Sequence, residues 1–294
     1  MDERMPNVDP LRPGDPSALG GYRLLGLLGE GGQGTVFLAE SASGERVAVK
    51  LLHARLAADA TARERFRREV ETARRVARFC TVPVLDADVR NDRPYVVSEF
   101  VDGVPLDRLV RDRGPIGGDE LMRIAVGTAT ALAAIHHAGV VHRDFKPSNV
   151  LVAADGPRVI DFGIARALDM ATATTTSSVM GTPAYTSPEQ ISGHPASPAS
   201  DVFAWAITMV FAASGRPAFG AQTIPAVLNR ILNAPPDLSE VPEGPLRHLL
   251  DRCLVKDPSG RPTAAETLLR LIDSAEAPNA PSTSKPPSPQ QAPA

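Results

Sequence analysis

The chain of 294 residues holds only two cysteines, Cys80 and Cys253, far apart in sequence. That excludes a disulfide-built extracellular scaffold and reads as two buried, reduced thiols, so the expected location is cytoplasmic. Net charge is −3, and so small an excess points to neither nucleic acid nor an anionic membrane as a partner. Met1-Asp2-Glu3-Arg4 brings no apolar stretch, so no signal peptide is expected. The longest apolar run, Val202 to Ala213 with Thr208 as its interruption, is too short for a membrane segment and reads as a buried helix. No G-x-x-x-x-G-K-[ST] stretch occurs, which argues against a P-loop nucleotide hydrolase.

What is present is apolar material: 43% of the residues are hydrophobic, enough for one large domain or two lobes. Residues 1–19 carry Pro6, Pro10, Pro13 and Pro16 without periodicity and are expected to form a flexible leader. From Tyr22 onward, strands are expected at Tyr22–Leu28, Thr35–Ala39, Arg46–Leu52, Pro83–Ala87 and Pro94–Phe100. A charged helix lies between the third and fourth, with Phe66, Val70 and Ala73 at helical spacing. Val101 to Pro105 reads as a hinge. Helical patterns dominate beyond it, beginning with a helix whose candidate N-cap is Asp119 and which Gly139 ends. Residues 164–200 are irregular and rich in Thr, Ser, Pro and Gly, and a loop of that length is usually functional or disordered. The expected organisation is a domain over 20–273, split into 20–100, a hinge at 101–105 and 106–273, with a Pro-rich disordered tail at 274–294.

The chemistry concentrates in Val141-His142-Arg143-Asp144-Phe145-Lys146-Pro147-Ser148-Asn149, followed by Asp161-Phe162-Gly163. A proton acceptor, a cation and two oxygen ligands for a metal are what transfer of a phosphoryl group to a hydroxyl requires. Gly29-Glu30-Gly31-Gly32-Gln33-Gly34 matches G-x-G-x-x-G. A dinucleotide fold would start a helix there. Thr35-Val36-Phe37-Leu38 favours a strand instead, so the glycines sit at a hairpin tip, where backbone amides can approach phosphate. Standing alone, the motif reads more readily as an ordinary glycine-rich turn. Lys50 ends the apolar run Val47-Ala48-Val49, and an ammonium there is costly unless it meets anions. Of the two acidic candidates in Arg67-Arg68-Glu69-Val70-Glu71, Glu69 lies near the inward face and Glu71 roughly opposite.

Taken in order, these motifs resemble those of a protein kinase domain, and most closely the bacterial serine/threonine kinases of the eukaryotic-like (Hanks-type) family. The likeness runs from about Tyr22 to Ile272 and includes Ser187-Pro188-Glu189. The resemblance implies an α+β, bilobal protein-kinase-like fold, with a small β-rich N-lobe carrying one main helix and a larger, mainly helical C-lobe. It implies ATP-dependent phosphorylation of protein Ser/Thr hydroxyls, with Mg2+ (or Mn2+) as the metal. Asp144 would accept or orient the hydroxyl proton, and Lys146 would neutralise the γ-phosphate. Lys50 would hold the α- and β-phosphates and pair with Glu69. Asn149 and Asp161 would ligate the metal. Leu28, Val36, Ala48 and Leu151 would line the adenine site, Glu99 and Val101 would offer hinge backbone groups, and Gly29, Gly31 and Gly34 would cover the phosphates.

The same likeness makes Ile164–Glu189 an activation segment, with Thr174 and Thr176 as autophosphorylation sites and Arg143 as the guanidinium that receives the phosphate. Thr182 would bond Asp144 and Lys146, Glu189 would pair with Arg261, and Asp201 would cap the catalytic loop. Expected partners are protein substrates and a homodimer for trans-autophosphorylation, with no nucleic acid and no membrane segment in the chain. Departures are small: Ser187 for alanine, Phe145 for leucine, Ala206 for glycine, and a small Ser98 before the hinge, which would leave a back pocket open. The competing reading is a pseudokinase scaffold or nucleotide sensor. The joint presence of Lys50, Asp144, Asn149 and Asp161 argues against it.

Overall fold

The computed structural model describes residues 8–53, 60–76, 80–90, 92–162 and 183–276. Six strands come first: β1 (Ala18–Leu19), β2 (Tyr22–Gly31), β3 (Gly34–Glu40), β4 (Arg46–Leu52), β5 (Val84–Arg90) and β6 (Arg93–Glu99). They form an antiparallel sheet in the order β1-β2-β3-β4-β6-β5, and helix α1 (Ala60–Ala73) crosses between β4 and β5.

The sheet works by strand alternation. Successive side chains of a strand point to opposite faces. Phe37 and Ala39 on β3, Val47, Val49 and Leu51 on β4, and Tyr95 and Val97 on β6 therefore bury together in one apolar cluster. Val36, Ala48 and Lys50 fall on the other face, half-buried, with Val36 directly opposite Lys50 in the register.

Beyond the sheet come β7 (Gly103–Pro105), α2 (Leu106–Arg113), α3 (Gly118–His137), β8 (Val150–Ala153) and β9 (Gly156–Val159). Strands β7, β8 and β9 form a second, three-stranded sheet. Four helices follow a short one, α4 (Pro188–Ile191): α5 (Pro198–Ser214), α6 (Ile224–Asn233), α7 (Pro245–Cys253) and α8 (Ala264–Glu276). Helix α5 has the strongest start and stop signals. Ser197 and Ser200 exchange hydrogen bonds at its N-terminus, Pro198 occupies the first turn, and Gly215 ends it at φ 73°. It is buried all round, from Val202 to Val210, as its sequence pattern requires. The indole N–H of Trp205 donates to Thr128 Oγ1 on α3 at 2.9 Å, so its one polar atom is satisfied.

Three expectations need correction. Residues 8–19 are not a free leader. Asp9 exchanges two backbone hydrogen bonds with Leu27, Leu19 is buried in the sheet cluster, and Arg12 pairs with Glu30. Leu11 and Leu19 have apolar surface to bury, and extended backbone tolerates the intervening prolines. Helix α3 is preceded by Gly117 as N-cap, and Asp119 lies in the first turn, where its charge favours the helix dipole. The last helix runs to Glu276, past the expected tail boundary at 273.

Arg261 ties the late helices to α4. Its guanidinium makes a bidentate pair with Glu189, both contacts at 2.8 Å, and donates to the carbonyls of Val255, Ala199 and Lys256. It also lies over the Phe203 ring, 4.7 Å from the centroid. Burial works to raise the Glu189 carboxyl, but hydrogen bonds from Arg261 and Ser200 outweigh it and hold the group below the usual range. Arg261→Met should destabilise the protein by about 3–5 kcal/mol at neutral pH, because it strands a buried carboxylate. Chemical denaturation measures this. A carboxyl with a depressed folded pKa stabilises above its unfolded value and loses that contribution as pH falls through the folded one. The gap between wild type and variant should therefore close on acidification below the ordinary carboxyl range.

Candidate active site

The strand pair β8–β9 sets the lower half of the site. Val150 lies opposite Val159 in its register, and the Ile160 N–H donates to the Asn149 carbonyl at 3.0 Å. Asn149 and Asp161 therefore emerge at the same end of one hairpin. The loop leading into β8 is held from below. Asp201, on α5 and 1% exposed, accepts from the backbone N–H of His142 at 2.7 Å and of Arg143 at 2.9 Å. Its Oδ2 also lies 2.8 Å from His136 Nε2. This anchoring accompanies a left-handed backbone at Arg143, φ 70°, which a non-glycine residue adopts at a cost. His142 and Phe145 turn inward on either side, their rings 5.2 Å apart, edge to face. Burial lowers the His142 imidazole pKa, in keeping with a neutral packing residue.

Asp144 and Lys146 face the cleft. Lys146 Nζ lies 2.8 Å from Asp144 Oδ2, and Asn149 Nδ2 donates to the Asp144 carbonyl at 2.7 Å. Asn149 then has its Oδ1 left as an oxygen donor. Asp161 stands at φ 61°, again left-handed, while Phe162 beside it is buried in the main core. From the upper sheet, Lys50 Nζ reaches Asp161 Oδ2 at 2.9 Å.

The expected Lys50–Glu69 pair is not formed. Glu69 is half-buried on α1 and Glu71 is exposed, but the Glu69 carboxylate meets Arg143 NH1 at 3.1 and 3.3 Å. Burial raises the Glu69 pKa, and Arg143 pulls it part of the way back. Lys50 has satisfied itself with Asp161 and the Gln33 amide, and Glu69 has taken the nearest guanidinium. Unpaired charges in a partly buried cleft are costlier than exchanged partners.

The glycine-rich turn closes the site from above. Gly31 pairs with Gly34 across a two-residue turn, Gly32-Gln33. At Gly34 a Cβ would stand 2.4 Å from the Leu51 carbonyl oxygen, so the close approach of β3 to β4 requires glycine. At Gly29 and Gly31 a Cβ would meet nothing within 4 Å, so these positions face open space. Leu28, Val36, Ala48 and Leu151 are all half-buried, Val101 likewise, and Glu99 is exposed, its N–H bound to the Pro83 carbonyl at 3.2 Å. Ser98 lies opposite Ala48 in the β4–β6 register. Gln33 was missed from sequence, where it is one of the unspecified positions of the glycine motif. It donates to Asp144 and accepts from Lys50, both at 3.2 Å. Thr174, Thr176 and Thr182 lie outside the described residues.

A magnesium ion is the group the expected chemistry asks for, and the donor set fits it. Asn149 and Asp161 offer two hard oxygen ligands from one hairpin end, and Mg2+ usually takes one or two protein oxygens, the rest from phosphate and water.

Residues 22–270 match the protein kinase domain family. The chain is 49% identical over 264 residues to the probable serine/threonine-protein kinase PkwA of Thermomonospora curvata, covering 90% of this chain and 35% of that protein. It is 46% identical over 266 residues to the serine/threonine-protein kinase AfsK of Streptomyces coelicolor, covering 90% and 33%. With the serine/threonine-protein kinase PknA of Mycobacterium tuberculosis it shares 37% over 250 residues, 82% of this chain and 58% of that one. The chain thus spans about a third of the length of the first two relatives. A crystal structure of Rad53 in complex with AMP-PNP superposes with a TM-score of 0.72 at 25% identity, over 84% of this chain and 64% of that one.

Asp201→Asn should leave the fold intact by circular dichroism yet loosen the loop above it, because an amide there presents an N–H to backbone N–H groups. The backbone amides of His142 and Arg143 should then exchange with deuterium about 10-fold faster than in wild type. Equal exchange rates would remove Asp201 from its positioning role.

Proposed function

Since the chain belongs to the protein kinase domain family, we propose that it is an ATP-dependent serine/threonine protein kinase. The observation that carries this reading is the grouping of Asp144, Lys146, Asn149, Asp161 and Lys50 in one cleft, held by the short contacts described above. Lys50 holds phosphate oxygens, Asn149 and Asp161 hold magnesium, and Lys146 faces the transferred group. Bound magnesium neutralises charge developing on the phosphates. Asp144 accepts the proton of the acceptor hydroxyl, or orients it, as the attack begins. The half-buried apolar set Leu28, Val36, Ala48 and Leu151 supports an adenine site, with the backbone of Glu99 and Val101 at its edge.

Protein substrates suit the lower lobe. A cavity of about 390 Å³, lined among others by Asp107, Val110, Pro147, Tyr185 and Phe211, includes Lys146 in its wall. It is large enough for a side chain of a peptide lying beside the catalytic loop. Cys80 and Cys253 are both buried and free, and burial raises both thiol pKa values, Cys253 to about 12. Inert buried thiols suit a reducing compartment, so the proposed location is cytoplasmic.

The proposal extends to regulation. Thr174 and Thr176 are the proposed autophosphorylation sites, modified in trans within a homodimer. A phosphate offers Arg143 more charge and more acceptor oxygens than the Glu69 carboxylate does. Once Arg143 turns to the phosphate, Glu69 is free to take Lys50.

In a labelled-ATP assay with a protein substrate, Asp161→Asn should abolish magnesium-dependent transfer. Asp144→Asn should lower kcat by about 10²–10⁴-fold. Wild-type rates in both would defeat the assignment. Mass mapping after incubation with Mg-ATP should find phosphate on Thr174 and Thr176. It should be absent from Asp144→Asn incubated alone and restored when active protein is added. Restoration by the active copy identifies transfer in trans.

A further inference from the structure

Gln33 reaches across the cleft from Lys50 to Asp144. It is the second residue of the turn joining β2 to β3, and its backbone is fixed: the His53 N–H donates to its carbonyl at 3.0 Å. Gly34 next to it packs against the Leu51 carbonyl with no room for a Cβ. From this held turn the side chain spans the cleft. Its Oε1 accepts from Lys50 Nζ at 3.2 Å, and its Nε2 donates to Asp144 Oδ2 at 3.2 Å. A carboxamide suits that place because it has an acceptor at one end and a donor at the other. A carboxylate would be repelled by Asp144, and an ammonium by Lys50.

Resting on the kinase reading above, the two groups that Gln33 bridges are the cation for phosphate and the acceptor of the hydroxyl proton. Neither can do its work while bound to the amide. We propose that Gln33 sets the nucleotide affinity of this protein: its carboxamide engages Lys50 and Asp144, and ATP binds only by displacing it. The empty protein is then divided between a latched form and an open, binding-competent form. The apparent dissociation constant is raised by the reciprocal of the open fraction.

Two substitutions test this. Gln33→Ala removes both hydrogen bonds and the bulk, whereas Gln33→Met keeps the length and removes the hydrogen bonds alone. Both should lower the Kd for Mg-ATP and the KM for ATP by about 3–30-fold, because two 3.2 Å bonds at a partly exposed site together contribute about as much as one ordinary net hydrogen bond. KM should move much more than kcat. Without nucleotide, the backbone amides of Glu30 to Gly34 should exchange with deuterium faster in Gln33→Met than in wild type. At saturating Mg-ATP the two should match. Unchanged Kd and KM in both variants, with wild type still binding ATP, would overturn the latch and leave the kinase reading standing. A fall in kcat at constant KM would also overturn it, by assigning Gln33 to the transfer step. A wild-type protein that binds no ATP would overturn the kinase reading and the latch together.

Discussion

Asp201 accepts the backbone N–H groups of two consecutive residues, His142 and Arg143, at a point almost closed to water. Consecutive amides of an extended chain point in opposite directions, so one carboxylate can collect both only if the backbone turns between them. The turn is paid in the left-handed φ of Arg143. A carboxylate buried without donors would be costly, and here its donors are the backbone of the loop that carries Asp144. The consequence runs outward. With His142 and Phe145 committed to the core, Asp144 between them is left facing the cleft, and Asn149 closes the loop by donating to the Asp144 carbonyl. A single residue of a fully buried helix thus fixes where the polar cluster stands.

The upper half is fixed by different physics. Lys50 owes its direction to strand period alone. Val47, Val49 and Leu51 fill the sheet cluster, so Ala48 and Lys50 must face away from it. Nothing equivalent fixes the partner of Lys50 once it is there. An ammonium on a flexible stem takes whichever anion is near, and in this structure that is Asp161.

That difference divides what the sequence could reveal from what it could not. The sheet and the main helices follow from periodicity, while Asp201 beneath the loop and Arg261 against Glu189 were implied by the resemblance to the kinase family, and the cost of buried charge explains why both hold. Each is a case where one arrangement is far better than its rivals. Residues 8–19 were misread because prolines suggested disorder, while Leu11 and Leu19 carried the weaker signal of surface needing cover. The partner of Glu69 is a different case: the kinase resemblance names Lys50, the structure pairs it with Arg143, and such a choice depends on what else the cleft holds. Gln33 was invisible because its role comes from the turn that aims it, and any polar residue between glycines looks alike in sequence.

Among the described residues, three ion pairs stand in the cleft. Lys50 pairs with Asp161, Lys146 with Asp144, and Arg143 with Glu69. All six side chains are at most about a third exposed, so an uncompensated charge among them would be felt. A triphosphate entering this cleft brings several negative charges and finds its cations already engaged. It can bind Lys50 only by taking it from Asp161, and that carboxylate then needs a cation of its own. The same argument explains why the proposed metal site includes Asp161. A divalent ion arriving with the nucleotide would restore the balance that the phosphates upset, and Asn149, a neutral ligand on the same hairpin end, adds an oxygen without adding charge. On the proposed reading, charge neutrality would couple nucleotide to metal, and ATP without a divalent ion would be poorly equipped to separate Lys50 from Asp161.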